Sequence, residues 1–88
     1  MSLREFKARY LTRLLNLKRQ LLEKYPDRSE RIDHIVELLA TKLDNLRTYT
    51  LTDYIFTLYQ ASKEFKELEA LIPSEEEIEE LLKRESVG

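Results

Sequence analysis

A short acidic stretch in the first half of the chain holds the residue types that could bind a metal ion or carry acid–base chemistry. It contains the only histidine, His34, together with Glu30, Asp33 and Glu37. A carboxylate-bridged di-iron centre requires Glu-x-x-His on two helices and further glutamates that point inward. The residue three before His34 is Arg31, and there is no second histidine. We therefore predict no metal site, and we interpret His34 as a surface residue beside Glu30, one helical turn earlier.

Phosphate and thiol chemistry lack the residues that they need. A phosphate-binding loop depends on glycines that let the backbone approach the anion, and the only glycine is Gly88. There is no cysteine, so disulfides, thiolate metal ligands and thiol nucleophiles are excluded. We predict that the chain is not an enzyme, and that it has no catalytic residue and no cofactor.

Charge is sorted along the chain. Residues 1–26 contain seven lysines and arginines against two glutamates, a net charge of +5, whereas residues 73–88 have a net charge of −4. The whole chain is slightly acidic, with a formal net charge of −2. High-affinity binding of nucleic acid depends on neutralising phosphates, and a chain with this balance is poorly suited to it.

The basic residues of the N-terminal segment do not form one stripe on a helical wheel. Arg9 and Arg13 lie on the polar face, Lys7 and Lys18 border the apolar residues, and Arg19 lies apart. We interpret these charges mainly as solvated or balanced within the molecule, and we keep direct nucleic-acid binding as an alternative.

Length and composition indicate one helical domain over residues 1–88. No apolar run is long enough to span a membrane and the N-terminus is charged, so we expect a cytoplasmic protein that does not contact a membrane. The abundance of Glu, Lys, Arg, Leu and Ile, with few Asn and Gln, resembles the usage of thermophiles.

The apolar residues recur with gaps of three and four, which predicts an all-α fold: a three-helix antiparallel bundle with a short fourth C-terminal helix. The predicted helices span residues 3–25, 28–47, 51–72 and 75–85. We predict a capping box at the start of each: Ser2 with Glu5, Asp27 with Glu30, Thr50 with Asp53, and Ser74 with Glu77. The predicted apolar stripes are Leu3, Phe6, Tyr10, Leu14, Leu17, Leu21 and Tyr25; Ile32, Ile35, Val36, Leu39, Leu43 and Leu46; and Leu51, Tyr54, Leu58, Ala61, Phe65, Leu68 and Ile72.

The third predicted helix carries a second apolar face. Phe56 falls almost opposite the stripe that contains Leu58 and Phe65, and Tyr59 and Thr52 lie beside it. A three-helix bundle cannot bury both faces of one helix. Three interpretations stay open: the fourth helix covers this face, Phe56 is a lone tolerated aromatic residue, or the face is exposed for a partner.

The run "LREFKARYLTRLLNLKRQLLEKYP" (residues 3–26), followed by a second amphipathic helix, resembles the helical domain of archaeal GINS-type replication subunits. In size and helical composition the chain is also similar to the small accessory subunits of the crenarchaeal B-family DNA polymerase. The resemblance covers about the first half of the chain and rests on composition and register. The resemblance implies a scaffold role in DNA replication, without an active site, and it assigns no function to any individual residue of this chain.

We therefore expect a non-enzymatic accessory or scaffold subunit that contacts a larger protein, such as a DNA polymerase or a replication complex. The predicted contact residues are Phe56, Tyr59 and Thr52, with Arg9 and Arg13 steering the chain toward an acidic partner or nearby phosphates. One alternative is a small basic-helix nucleic-acid-binding protein. Another is a self-assembling homo-oligomer, in which the basic first helix of one copy meets the acidic fourth helix of the next.

Overall fold

The computed structural model describes residues 2–87, with the side chains of residues 2–83, and within that part the chain contains no β-strand. Its helices are α1 (Leu3–Lys24), α2 (Ser29–Asp44), α3 (Leu51–Glu64) and α4 (Glu75–Val87). Three short 3-10 segments join them: Pro26–Arg28, Thr48–Thr50 and Lys66–Leu71. The predicted all-α architecture of three main helices and a short C-terminal helix is confirmed.

The first two helices form an antiparallel pair. Lys7, early in α1, donates a hydrogen bond to the carbonyl oxygen of Asp44 at the end of α2 (3.1 Å). Lys18, later in α1, forms an ion pair with Asp33 near the start of α2 (3.4 Å). The predicted apolar stripes face each other between the helices and are buried: Phe6, Tyr10, Leu14 and Leu21 from α1 and Ile32, Ile35, Val36, Leu39 and Leu43 from α2.

The third helix runs antiparallel to α2, and two ion pairs fix its register. Arg31 bonds to Glu64 near one end of the pair (2.9 Å), and Lys42 bonds to Asp53 near the other (2.6 Å). With this register, the inner face of α3 places Leu58 and other residues of its predicted stripe in the core.

The sequence predicted one continuous third helix over residues 51–72, and this prediction is wrong in its second half. α3 ends at Glu64, Phe65 adopts an extended backbone (φ −127°, ψ 99°), and the chain turns back as the 3-10 segment Lys66–Leu71. The turn brings the Phe65 ring against the edge of the Tyr25 ring, with the centroids 5.4 Å apart. The segment therefore returns along α1 instead of continuing α3.

The register of α3 explains this break. Glu64 already lies opposite the first turn of α2, so a straight helix beyond it would leave its apolar residues in water. Turning back buries Phe65, Leu68 and Leu71, which is the favourable outcome because apolar area leaves water. These three residues are spaced by three, which is the period of a 3-10 helix.

Two of the four predicted capping boxes are present in part: Ser2 and Ser74 cap their helices, but in both the glutamate accepts a hydrogen bond from the serine hydroxyl and not from the serine amide. The Ser2 hydroxyl accepts a hydrogen bond from the Glu5 amide (3.1 Å), and the Ser74 hydroxyl accepts one from the Glu77 amide (3.2 Å). The prediction is wrong for Asp27, which lies in a 3-10 turn ahead of α2. It is also wrong for Thr50, whose hydroxyl bonds to the backbone of Arg47 instead. At these two starts, a 3-10 turn leads into the helix without a side-chain cap.

Candidate protein-contact surface

The outer face of α3, which we call the aromatic face, consists of Thr52, Phe56 and Tyr59. All three are exposed, with Phe56 62% and Tyr59 57% accessible to solvent. Their spacing of four and three places them on one side of the helix. The opposite side carries Tyr54 and Leu58, which are fully buried. One helix thus has a packed apolar face and an uncovered one, as the sequence indicated.

The fourth helix does not cover the aromatic face. α4 lies against the Thr48–Thr50 turn and buries Leu81 in the core, while Glu77 accepts a hydrogen bond from the Tyr10 hydroxyl of α1 (2.8 Å). The interpretation in which helix four packs on Phe56 is therefore wrong. The reason is that the 3-10 segment directs the chain back along α1 before α4 begins.

Two further exposed features, which the sequence analysis did not identify, lie near the two ends of α3. Tyr49, three residues before Thr52, is 86% exposed. At the other end, a surface depression beside Tyr59 is lined by Lys63, Glu69 and Ile72. Tyr49 precedes α3 and was therefore not placed on the helical wheel of that helix, although it lies only three residues before Thr52 in the sequence. The depression depends on the turn at residue 65, which no local sequence pattern predicts.

The structure does not bring Arg9 and Arg13 to α3. Both are exposed on α1, and the Arg13 guanidinium lies over the ring of Tyr10, 4.9 Å from its centroid. This is the side of α1 on which Glu77 docks. Among the described residues Arg9 forms no ion pair. The five predicted contact residues therefore lie on two helices, three on α3 and two on α1.

Several basic groups of α1 are engaged within the molecule. Besides the bonds of Lys7 and Lys18 to α2, Lys24 forms an ion pair with Glu67 (2.6 Å), which also accepts a hydrogen bond from the Tyr25 hydroxyl (3.0 Å). The bond to Lys24 is the main reason that the pKa of Glu67 lies below its ordinary value. Three of the seven basic residues of residues 1–26 therefore meet a carboxylate or a carbonyl of the same chain.

A second carboxylate with a lowered pKa lies between α2 and α3. Glu64 accepts hydrogen bonds from Arg31 (2.9 Å) and Arg28 (2.6 Å). The hydrogen bond from Arg31 is the largest cause of the lowered pKa of Glu64, and the charge of Arg28 adds to it. These contacts join the ends of two helices, and their exposed positions fit a structural role.

Two neighbouring tyrosines of the core have raised pKa values, and α4 docks on one of them, Tyr10. Burial, followed by the hydrogen bond to Glu77, raises the pKa of Tyr10 to about 12. Burial and the neighbouring Tyr10 raise the pKa of Tyr54 to about 12. The Tyr54 hydroxyl has no hydrogen-bond partner among the described residues. A buried hydroxyl without a partner costs about 1–3 kcal/mol, so this position is unusual in an otherwise well-packed core.

The acidic stretch around His34 does not form a site. His34 and Glu30 are both exposed, and the expected contact between them is absent from the described structure. Asp33 is instead engaged by Lys18. Within residues 2–83, no three histidine, aspartate or glutamate side chains gather as a metal ion would require.

No helix in the described part of the chain combines the length and the apolar composition of a membrane-spanning segment. Comparison with models of protein families, with curated proteins and with solved structures finds no match for the chain.

Proposed function

We propose that this chain is a non-enzymatic accessory or scaffold subunit, and that it joins a larger assembly by burying the aromatic face of α3 against another protein. The observation that supports this is the exposure of Phe56 and Tyr59 on the side of α3 that the bundle leaves uncovered. Aromatic residues are enriched at protein interfaces, where they bury large area with few rotatable bonds.

The surroundings of this face suit a protein partner. Tyr49 is a further exposed aromatic residue just before α3, and the depression between Tyr59 and Ile72 offers a recess at the other end of the helix. Lys63 and Glu69 line the recess, so charges of both signs border an apolar centre. A polar rim around an apolar centre is the usual anatomy of a protein interface.

The setting that we propose is a nucleic-acid-processing assembly in the cytoplasm, with a DNA polymerase or replication complex as the larger partner. This part of the proposal is supported by the resemblance of residues 3–26 to replication subunits and is separate from the argument for the surface. Arg9 is exposed and has no ion pair in the described structure, so it is available to steer the chain toward an acidic partner.

The test is to purify the tagged chain, with whatever it binds, from the cells that naturally produce it. A double variant, Phe56→Ala with Tyr59→Ala, is compared with the wild type and with Leu15→Ala. Leu15 is a matched control because it is apolar and 51% exposed on α1. We expect the wild type and the Leu15→Ala control to retain the same partner, and the double variant to lose it while its thermal midpoint stays unchanged. Equal retention by all three proteins would contradict the proposal.

A further inference from the structure

α4 contacts one of two buried tyrosines that neighbour each other on different helices. Tyr10 belongs to α1 and Tyr54 to α3, and each is 1% exposed. Glu77 of α4 accepts the hydrogen bond of Tyr10 (2.8 Å), whereas the Tyr54 hydroxyl has no partner in the described structure. α4 therefore satisfies one of the two donors.

Few of the described side chains of α4 are buried. Leu81 is its one fully buried side chain among those described, and Ile78 is partly buried. A helix of 13 residues is marginal in water by itself, so docking and helix formation are coupled. An element held by few buried contacts opens locally at lower free energy than the bundle unfolds.

The chemistry of the site around Tyr10 selects for an acidic helix. The phenol of Tyr10 donates to a carboxylate, and the Arg13 guanidinium lies over the same ring, so an anion is favoured there. The excess positive charge of residues 1–26 acts in the same direction. In α4, Leu81 lies four residues after Glu77 and therefore on the same face of the helix. A partner helix with this spacing of carboxylate and leucine would present the same two groups.

We propose that α4 is a displaceable cover, and that the site beneath it receives an acidic amphipathic helix of a partner protein. The carboxylate of that helix replaces Glu77 on Tyr10, and its leucine replaces Leu81. This surface is distinct from the aromatic face, so it does not depend on the function proposed above.

The test uses the full chain and a fluorescent synthetic peptide of residues 74–87 as the probe. In the wild type, the attached α4 competes at high effective concentration, so the peptide binds weakly. The variant Leu81→Ala weakens the attached helix, and we expect it to bind the peptide at least about tenfold more tightly than the wild type does. Leu82→Ala is the matched control, because Leu82 is 41% exposed on the same helix, and it should bind as the wild type does.

Adding Tyr10→Phe to Leu81→Ala should weaken peptide binding by about tenfold, because the donor to the carboxylate is lost. Circular dichroism and thermal unfolding establish that each variant is folded. The proposal is overturned if folded Leu81→Ala fails to bind the peptide. It is also overturned if hydrogen exchange in the wild type is as slow for the amides of α4 as for those of α2, since α4 would then open only on global unfolding. Dimers formed by exchange of α4, detected by light scattering, would assign the site to a second copy of the chain.

Discussion

α1 and α3 both carry a second row of apolar residues, but the bundle treats the two rows differently. On α1 the row of Leu11, Leu15 and Leu22 borders the core stripe, and Leu22 is partly buried against it. On α3 the row lies opposite the stripe, and Phe56 is left largely in solvent. Leu11 and Leu15 of the α1 row remain 36% and 51% exposed, so the bundle covers only the Leu22 end of that row. On α3 all three residues of the aromatic face are exposed, so the whole of that face is available to another molecule.

The largest effect that this comparison predicts is on the inner face of α3. Leu58→Ala should lower the free energy of unfolding by about 2–5 kcal/mol, because Leu58 is fully buried and its truncation leaves a cavity. Chemical denaturation of the isolated chain measures this loss, and Leu15→Ala on the exposed row of α1 serves as the control. A loss no larger than that of the control would mean that α3 is not packed as described.

The outer face should behave in the opposite way. Phe56→Ala should change the free energy of unfolding by no more than about 0.5 kcal/mol, as is usual for surface positions, and should weaken assembly by more than about 1 kcal/mol. Denaturation of the isolated chain gives the first quantity, and titration with the purified partner gives the second. If Phe56→Ala destabilises the isolated chain as much as Leu58→Ala does, Phe56 belongs to the core and the comparison fails.

A smaller effect concerns the ion pairs that hold the 3-10 segment and α3 in place. The pKa values of Glu64 and Glu67 are lowered from the ordinary 4.5 by their basic partners. A lowered folded-state pKa adds stability that is fully present above the unfolded value and is lost as pH falls through the folded value. The thermal midpoint should therefore decline below about pH 4.5, and Glu64→Gln should remove part of this decline.

The control for this pH series is Glu37→Gln, which removes an exposed carboxylate of α2. It should leave the pH profile of the thermal midpoint as it is in the wild type. If Glu64→Gln and Glu37→Gln give the same profile, the pairs of Glu64 with Arg31 and Arg28 do not contribute to stability.

The smallest predicted effect is on the basic helix. Arg9→Ala should leave stability unchanged, because Arg9 is exposed and forms no ion pair among the described residues. The isolated wild type should bind neither single-stranded nor double-stranded DNA at physiological salt, because the chain is slightly acidic overall and three of the seven basic residues of residues 1–26 are engaged within it. Binding that declines steeply with salt and depends on Arg9, Arg13 and Arg19 would instead support the alternative of a nucleic-acid-binding protein.

Periodicity was sufficient to predict the helical fold and most of the core. The stripe of α2 is buried as predicted, and that of α1 is buried except for Leu3, Leu17 and Tyr25, which are partly buried. Three-four spacing encodes one face of a helix directly. The end of α3 was not predictable in this way. No glycine or proline marks the break, and it depends on where α2 begins in space, which is a tertiary constraint.

The candidate surface was predicted in part. The helical wheel identified Phe56, Tyr59 and Thr52 correctly as a face opposed to the core, since angular position follows from sequence alone. The docking of Glu77 on Tyr10 could not be anticipated, because it follows from the turn at Phe65 that returns the chain along α1. The position of Arg13 over Tyr10, by contrast, follows from their spacing of three on one helix. The tyrosines within the apolar stripes did indicate that a contact such as that with Glu77 is needed, since a buried tyrosine hydroxyl requires a hydrogen-bond partner.

The central claim is that residue 56 contacts another protein while the opposite side of α3 holds the bundle together. The most direct measurement places a photo-crosslinking amino acid at residue 56, or at the exposed α2 position 37 as a control, in the cells that produce the chain. We predict one discrete protein adduct from position 56 that is absent from position 37. No adduct from position 56, or the same adducts from both positions, would contradict the account.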